Sequence, residues 1–129
     1  MNADDLKNRT KRFALRILRL AAALPNTIEG KAIKGQLVRA GTSVGANYRA
    51  SCRARSRAEF VAKIGTVEEE SDESAFLLEI IIEGALLKES RVKPLLKEAN
   101  ELTRIMAKSR ISASRALRAN RQLAIGNRK

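Results

Sequence analysis

The chain contains no histidine. Histidine is the commonest general base near neutral pH and the commonest metal ligand, so its absence excludes Ser-His-Asp and Cys-His catalytic arrangements. Cys52 is the only cysteine, and without a neighbouring base it is a poor candidate for a catalytic nucleophile. We therefore expect a protein that is not an enzyme, with no catalytic residue, no cofactor and no bound metal ion.

The single cysteine also excludes an intrachain disulfide, and a reducing cytoplasm is the simplest location for such a chain. The N-terminal residues lack the apolar segment of a signal peptide. The longest nearly apolar run, residues 75–87, is interrupted by Glu79 and Glu83 and is too short to span a membrane. We expect a cytoplasmic protein that does not associate with membranes.

Aromatic residues and prolines are scarce in the 129-residue chain, with three Phe, one Tyr, no Trp and two Pro. The length is typical of one domain with a sizeable core, and that core must be built from aliphatic side chains. Proline interrupts helices, so the near absence of proline favours long helices. No alternating strand pattern and no internal repeat are present.

The formal net charge of +12 is unevenly distributed along the chain. Residues 1–63 carry a net charge of +10, residues 64–89 carry −7, and residues 90–129 carry +9. A basic chain with one acidic segment can attract polyanions and can also bind copies of itself.

Capping residues and prolines place the first two helices. Asn2 or Asp4 can cap the first helix, which Pro25 ends. Residues 26–29 form a candidate capping box for the second helix, in which Glu29 reaches back to the cap, and this helix extends to about Arg53. The second helix contains four glycines that indicate either close packing against a neighbour or a bend: Gly30, Gly35, Gly41 and Gly45.

A second capping box, Ser56–Glu59, predicts a third helix from about Arg57 to Lys88. Pro94 lies near the first turn of a fourth helix, whose apolar pattern fades after Ser112. The sequence therefore predicts an all-α chain with four helices over residues 1–115, followed by a basic, flexible tail over residues 116–129.

The second half of the third helix is apolar nearly all round, which is typical of a helix buried on more than one side. Its inner face comprises Phe60, Ile64, Val67, Ser71, Leu78, Ile82 and Ala85. Other apolar side chains point in different directions: Phe76, Leu77, Ile80, Ile81 and Leu87. We expect the additional burial to come from another subunit, which predicts a homo-oligomer.

The third helix also carries an acidic cluster of Glu68, Glu69, Glu70, Asp72 and Glu73. Pairing with arginines of a neighbouring helix or subunit is the favoured interpretation. A magnesium site made only of carboxylates and a solvated acidic face remain alternatives.

One stretch of the second helix carries a specific motif. Residues 36–49, QLVRAGTSVGANYR, place Gln36, Arg39, Ser43 and Asn47 at fixed spacings, and the pattern continues through Ser56, Glu59, Phe60, residues 63–65, Glu70, Glu73 and Ser74. This pattern resembles the bacterial four-helix-bundle family also called 23S rRNA intervening-sequence proteins. The chain departs from that family at Ala50, where many members have Glu, and at residues 76–77, where Phe-Leu replaces an aromatic pair.

The resemblance implies an antiparallel up-down four-helix bundle that assembles as a ring-like homopentamer. It also implies similarity in fold and assembly to the accessory proteins of diversity-generating retroelements, which bind nucleic acid and a reverse transcriptase. The motif residues would be structural or interface residues: Gln36, Arg39, Ser43, Asn47, Glu70 and Glu73. Of these, we expect Arg39, Ser43, Asn47, Glu70 and Glu73 to bond across helices, with Arg39 in a buried ion pair with an acid of the third helix.

For function, the leading hypothesis is binding of RNA or single-stranded DNA through backbone phosphates, with weak sequence preference because base-stacking aromatics are scarce. The candidate phosphate-binding residues have few acids nearby in sequence: Arg12, Arg16, Arg19, Arg49, Arg53, Arg55 and Arg57. The alternative is an oligomeric adaptor whose basic face docks an acidic protein, such as a nucleic-acid enzyme.

Overall fold

The computed structural model describes residues 1–127, which form four α-helices and no strand. The helices are α1 (Ala3–Ala22), α2 (Ile28–Cys52), α3 (Arg57–Glu83) and α4 (Glu89–Asn127). Each helix packs on the next through a short connection, and α1 also packs on α4. Short connections make consecutive helices antiparallel, so the structure confirms the predicted up-down four-helix bundle. None of the helices in residues 1–127 is long and apolar enough to cross a membrane.

Local hydrogen bonds explain where the first and third helices begin. Asn2 and Asp5 form a reciprocal capping box at the start of α1, with each side chain accepting from the other residue's backbone amide. At the start of α3, the hydroxyl of Ser56 accepts from the amide of Glu59 at 3.0 Å, as predicted. The Glu59 carboxylate accepts from the amide of Arg55 instead of from that of Ser56.

The predicted capping box at residues 26–29 is wrong. Thr27 caps α2, and its hydroxyl accepts from the amide of Gly30 at 3.0 Å. The chain after Pro25 folds back over this turn, and a Cβ at position 30 would lie 1.9 Å from the Pro25 carbonyl oxygen. Only glycine fits at position 30. Its amide donates to Thr27, so Thr27 and not Asn26 is the N-cap residue of α2.

α3 ends at Glu83 and not, as predicted, at Lys88. Ala85 has a φ of 53°, in the left-handed region, and the amide of Leu86 donates to the carbonyl of Ile81 at 3.0 Å. These features define a Schellman motif, which closes a helix by satisfying its last carbonyls. Ala85 is consequently exposed in the turn and does not belong to the inner face.

α4 continues to Asn127 without a break near residue 115, where we expected the bundle to give way to a tail. Ala113 is the last buried residue, and the side chains of 114–126 are half-buried or exposed. With 39 residues against 27 in α3, α4 extends past the bundle by roughly 18 Å. The flexibility of residues 116–129 stays a prediction, and residues 128 and 129 lie outside the described residues.

The core is aliphatic, as the composition predicts. Its large, fully buried side chains come from all four helices and include Phe13, Ile17, Leu37, Val44, Ile64, Leu78, Ile81, Leu102 and Met106. Tyr48 lies in this core, and its burial raises the pKa of the phenol.

Most of the apolar side chains in the second half of α3 are buried within a single chain. Leu77 and Ile81 are 2% and 0% exposed because α3 packs against both α2 and α4. The expectation that these two residues need a second subunit is therefore wrong. Phe76 and Ile80 remain 58% and 37% exposed on the outer side of the helix.

Candidate nucleic-acid interface

The crossing of α1 and α2 creates a basic cleft. Gly45 of α2 lies against α1, where an added Cβ would be 3.3 Å from the carbonyl oxygen of Thr10. The hydroxyl of Thr10 is fully buried at this crossing and donates to the Leu6 carbonyl at 2.8 Å. Glycine therefore lets the two backbones approach closely, and the longer side chains on either side of the crossing converge.

Lys7 and Lys11 from α1 face Arg49 from α2 across a cleft of about 220 Å³. Its remaining lining residues are Ala14, Thr42, Gly45 and Ala46. Within residues 1–127, Lys11 and Arg49 form no ion pair, and Lys7 is 3.9 Å from Asp4. The cleft thus presents three cations above a floor of mostly small side chains, an arrangement suited to a phosphate group.

Three more of the predicted arginines continue from this cleft around one end of the bundle. Arg53, Arg55 and Arg57 lie in and beside the turn between α2 and α3, and all three are exposed. In the described part of the chain none of the three forms an ion pair. The structure thus places Arg49 and these residues at the same end of the bundle, and together with Lys7 and Lys11 we call them the basic corner.

The predicted arginines of α1 lie elsewhere. Arg16 and Arg19 line a second groove of about 200 Å³ with Arg91 of α4, above Leu20 and Leu95. Arg16 is half-buried in this groove and Arg19 is exposed. Arg12 is exposed and lines a third groove with Asp5 and Arg9 of the same helix. The seven predicted arginines therefore occupy several surfaces and do not form one site.

Sequence reasoning missed Lys7, Lys11 and Arg91 as members of these basic surfaces. The spacing of Lys7 and Lys11 by one helical turn indicates that they share a face of α1. Their position opposite Arg49 depends on how α1 and α2 cross. The sequence also gave no role to Arg9, which donates to Glu98 at 2.6 and 2.8 Å and to Glu101 at 2.7 Å.

The Arg9 group ties α1 to α4. The side chains of Arg9 and Glu98 are only 20% and 15% exposed, and hydrogen bonding to Glu98 is the main cause that raises the pKa of the guanidinium. Charge-assisted, bidentate bonds of this kind are the strongest hydrogen bonds in proteins. Arg9 is therefore part of the scaffold and is not available to a ligand.

Arg39 reaches α3 as predicted, with Nη2 2.7 Å from Oε1 of Glu73 and Nη1 3.8 Å from Oε2 of Glu70. The Arg39 side chain is 58% exposed, however, so the pair is a surface ion pair and not the buried one we expected. Surface pairs contribute about 0.2–1 kcal/mol to stability, well below the contribution of a buried pair.

Glu70 lies on the inner side of this group. Its Oε2 atom is buried and has no hydrogen-bond partner among the described residues. Burial raises the pKa of the Glu70 carboxyl, the nearby charge of Glu73 adds to the increase, and Arg39 opposes it. Glu70 therefore carries an electrostatic cost that the distant Arg39 guanidinium only partly offsets.

Within residues 1–127, Ser43 and Asn47 do not bond across helices, contrary to the prediction. The amide of Asn47 donates to the carbonyl of Ser43 at 2.9 Å, within α2 itself. Gln36 is exposed on the same helix. The spacing of these residues placed them on one stripe but could not specify their partners.

The acidic cluster pairs mainly with arginines of neighbouring helices. Glu68 accepts from Nε of Arg110 on α4 at 2.6 Å, while Glu70 and Glu73 face Arg39. Glu69 and Asp72 are exposed and form no ion pair within residues 1–127. No group of three or more potential metal ligands comes together in that same part of the chain. The geometry favours interhelix pairing over a magnesium site.

Comparison with known proteins agrees with the fold and the motif. No curated protein sequence matches the chain. A crystal structure of a protein of unknown function from the S23 ribosomal protein family of Bacteroides thetaiotaomicron is 28% identical, with a TM-score of 0.77. The match covers 85% of this chain and 98% of that chain. The family model for the 23S rRNA-intervening sequence protein matches residues 4–108, which include most of the bundle but not the extension of α4. The chain therefore belongs to the 23S rRNA-intervening sequence protein family.

Proposed function

We propose that the protein binds RNA and single-stranded DNA through their backbone phosphates and performs no catalysis. The observation that carries this proposal is the cleft in which Lys7, Lys11 and Arg49 converge from two helices. Within residues 1–127 Lys11 and Arg49 form no ion pair, and Lys7 forms one long pair with Asp4 at 3.9 Å. Cations without carboxylate partners release the counterions of a polyanion when they bind it, and this release drives association.

The dimensions and chemistry of the cleft suit a phosphate. Its volume of about 220 Å³ exceeds that of one phosphate group, and its floor of Ala14, Gly45 and Ala46 leaves the cations accessible. Arg53, Arg55 and Arg57 continue the basic surface from Arg49 and provide contacts for successive phosphates of one strand.

Base recognition has little support in this surface. Tyr48, the only tyrosine, is 5% exposed in the core, and the chain has no tryptophan. Single-strand-binding proteins commonly stack bases on such aromatic side chains. Binding driven by phosphates alone should show weak sequence preference. RNA is the first ligand to test because the family is described by an rRNA sequence element.

The test is a fluorescence-anisotropy titration of oligouridylate RNA and oligothymidylate DNA at several salt concentrations. Lys7→Ala/Lys11→Ala/Arg49→Ala should weaken binding at low salt. Each lost phosphate contact should reduce the slope of log K against log salt by about 0.7, so the full variant should lose about 2.

The matched control removes three cations from a different surface. Lys93, Lys97 and Arg104 line a groove on the outer side of α4, and their triple change to Ala lowers the net charge by the same amount. This control should retain most of the slope of log K against log salt. No binding of either polymer at low salt would overturn the proposal and make docking of an acidic protein on the same basic surface the leading hypothesis.

A further inference from the structure

We propose that the end of α4 that projects from the bundle binds double-stranded DNA by lying in its major groove. The segment concerned, here called the α4 extension, comprises residues 114–126. The family model ends at residue 108 and does not reach this segment. The inference goes beyond the proposed function, because it concerns a different element of the chain and a double-stranded ligand.

Most of the α4 extension has no packing partner in the described part of the chain. Ala113 is the last buried residue, and every residue from Arg118 to Gly126 is exposed. These residues make more than two helical turns, so all sides of the helix are open to solvent. The extension is rich in Ala, Arg, Leu and Gln, whose high helix propensity supports the helix where packing ends. The chain therefore presents a complete helix to a partner.

The charge of the α4 extension is of one sign. No acidic residue follows Glu101 in the chain. Arg115, Arg118 and Arg121 are exposed and form no ion pair within residues 1–127, whereas Arg110, at the base of the extension, is held by Glu68 at 2.6 Å. A projecting helix with unpaired arginines and no carboxylate fits a polyanion.

The apolar residues of the α4 extension indicate which polyanion it fits. At 100° per residue, Leu117, Leu123 and Ile125 point in different directions around the helix and form no common face. A helix that lies on an anionic membrane needs one apolar face, and a helix that docks in a protein groove needs apolar anchors on one side. The α4 extension has neither, so it fits the phosphates of a nucleic acid.

The form of the extension favours a DNA duplex. It contains no aromatic residue on which the bases of a single strand could stack. The major groove of B-DNA is about 12 Å wide and admits an α-helix, whose diameter is about 10–12 Å. Arg118, Arg121 and Gln122 are of the residue types that bond to guanine and adenine edges in that groove. The major groove of A-form RNA is too narrow for side chains to read, so duplex RNA is a poor ligand.

The bundle supports this placement. Because α4 runs antiparallel to α3, it leaves the bundle at the end where α3 begins, and the exposed Arg55 and Arg57 lie at that end. The projection of roughly 18 Å exceeds the groove depth of about 8.5 Å. The helix can therefore enter the groove while arginines of the basic corner face the flanking phosphates.

Fluorescence anisotropy with a DNA duplex, an RNA duplex of the same sequence and single-stranded oligouridylate tests the proposal. The wild type should bind the DNA duplex more tightly than the RNA duplex. Arg115→Ala/Arg118→Ala/Arg121→Ala should weaken binding of the DNA duplex and reduce the slope of log K against log salt by about 0.9 for each lost contact. Alanine favours helices, so circular dichroism should show that this variant keeps its helix. Lys93→Ala/Lys97→Ala/Arg104→Ala removes the same charge from the part of α4 within the bundle and should retain most of the slope.

A second pair of variants tests the helix without changing the charge. Ala119→Pro should break the helix beyond the last buried residue and weaken binding of the DNA duplex, whereas Ala119→Ser should not. The N7 atom of guanine lies in the major groove. The wild type should therefore protect N7 from methylation by dimethyl sulfate, and Ala119→Pro should not.

The same assays separate this proposal from the proposed function. Binding of oligouridylate by the basic corner should be unchanged in both Ala119 variants, and Lys7→Ala/Lys11→Ala/Arg49→Ala tests it directly. Equal affinity of the wild type for the two duplexes, guanine N7 atoms that stay unprotected, or unchanged DNA binding by Ala119→Pro would overturn the placement of α4 in the groove. Absence of DNA-duplex binding would do so even if oligouridylate binds.

Discussion

Gly41 of α2 packs directly onto Ile17 of α1, and a Cβ at position 41 would lie 2.7 Å from both Cγ1 and Cγ2 of Ile17. Both residues are buried, so neither side of the contact can move into solvent. This glycine sets the distance between the two helices that form the basic cleft. The same contact therefore links the packing of the core to the geometry of the proposed phosphate site.

Gly41→Ala should destabilise the protein by about 1–3 kcal/mol because the added methyl group overpacks the interface against a fully buried isoleucine. Gly35→Ala is the matched control, since a Cβ at that exposed position of the same helix meets no atom within 4 Å. It should stabilise the protein by about 1 kcal/mol through helix propensity. Urea unfolding of both variants checks the opposite signs, and equal effects would show that the crossing is not tightly packed.

Ala85→Gly should increase the free energy of unfolding by about 1 kcal/mol. Ala85 has a φ of 53°, a conformation that costs an L-residue about 1–2 kcal/mol and costs glycine little. Part of this gain is offset because glycine is more flexible in the unfolded chain. Ala62→Gly, at an exposed position inside α3, should instead destabilise by about 1 kcal/mol. Denaturant midpoints of the two variants should therefore move in opposite directions from that of the wild type.

Arg9→Ala should cost more stability than Arg39→Ala, although both remove an interhelix ion pair. Loss of Arg9 leaves the largely buried Glu98 without its bidentate partner and weakens the contact of α1 with α4, with an expected cost of at least about 2 kcal/mol. Loss of the exposed Arg39 should cost at most about 1 kcal/mol. Thermal unfolding of the two variants compares the stability that each ion pair contributes. A larger loss of stability in Arg39→Ala than in Arg9→Ala would contradict the expected order.

Glu70 should make stability fall as pH rises above about 4.5, the ordinary pKa of a glutamate. Burial raises the pKa of this carboxyl in the folded state. Between the ordinary and the raised pKa the folded chain therefore binds more protons than the unfolded chain, and deprotonation favours unfolding. The penalty is absent below this window and fully present above it.

Glu70→Gln should remove this penalty. The variant and the wild type should converge in stability at low pH, and the variant should be relatively more stable near neutral pH. Urea unfolding across the pH range measures the difference, with Glu69→Gln as a control for loss of an exposed charge on the same helix. A difference that grows as pH falls would show that Arg39 dominates the environment of Glu70.

Local signals were sufficient for much of the fold. The caps at Asn2 and Ser56 and the apolar period of α1 and α4 depend on residues within a few positions of one another, so they could be read directly. The cap of α2 and the end of α3 were missed because each depends on the path of the chain beyond the helix. At α2 the Pro25 carbonyl occupies the space beside Gly30, and at α3 the left-handed Ala85 permits an earlier stop.

The sequence by itself determined the four helices, the aliphatic core, the family motif and the excess of basic residues, because composition and helical period are properties of the chain. Only the tertiary structure decided which cations are free. Arg9 and Arg49 are alike in the sequence, yet Arg9 faces acids on α4 while Arg49 faces Lys7 and Lys11. The partner of a charged side chain on a helix surface depends on the neighbouring helix and its register. For Arg49, the close contacts of α2 with α1 at Gly41 and Gly45 fix both.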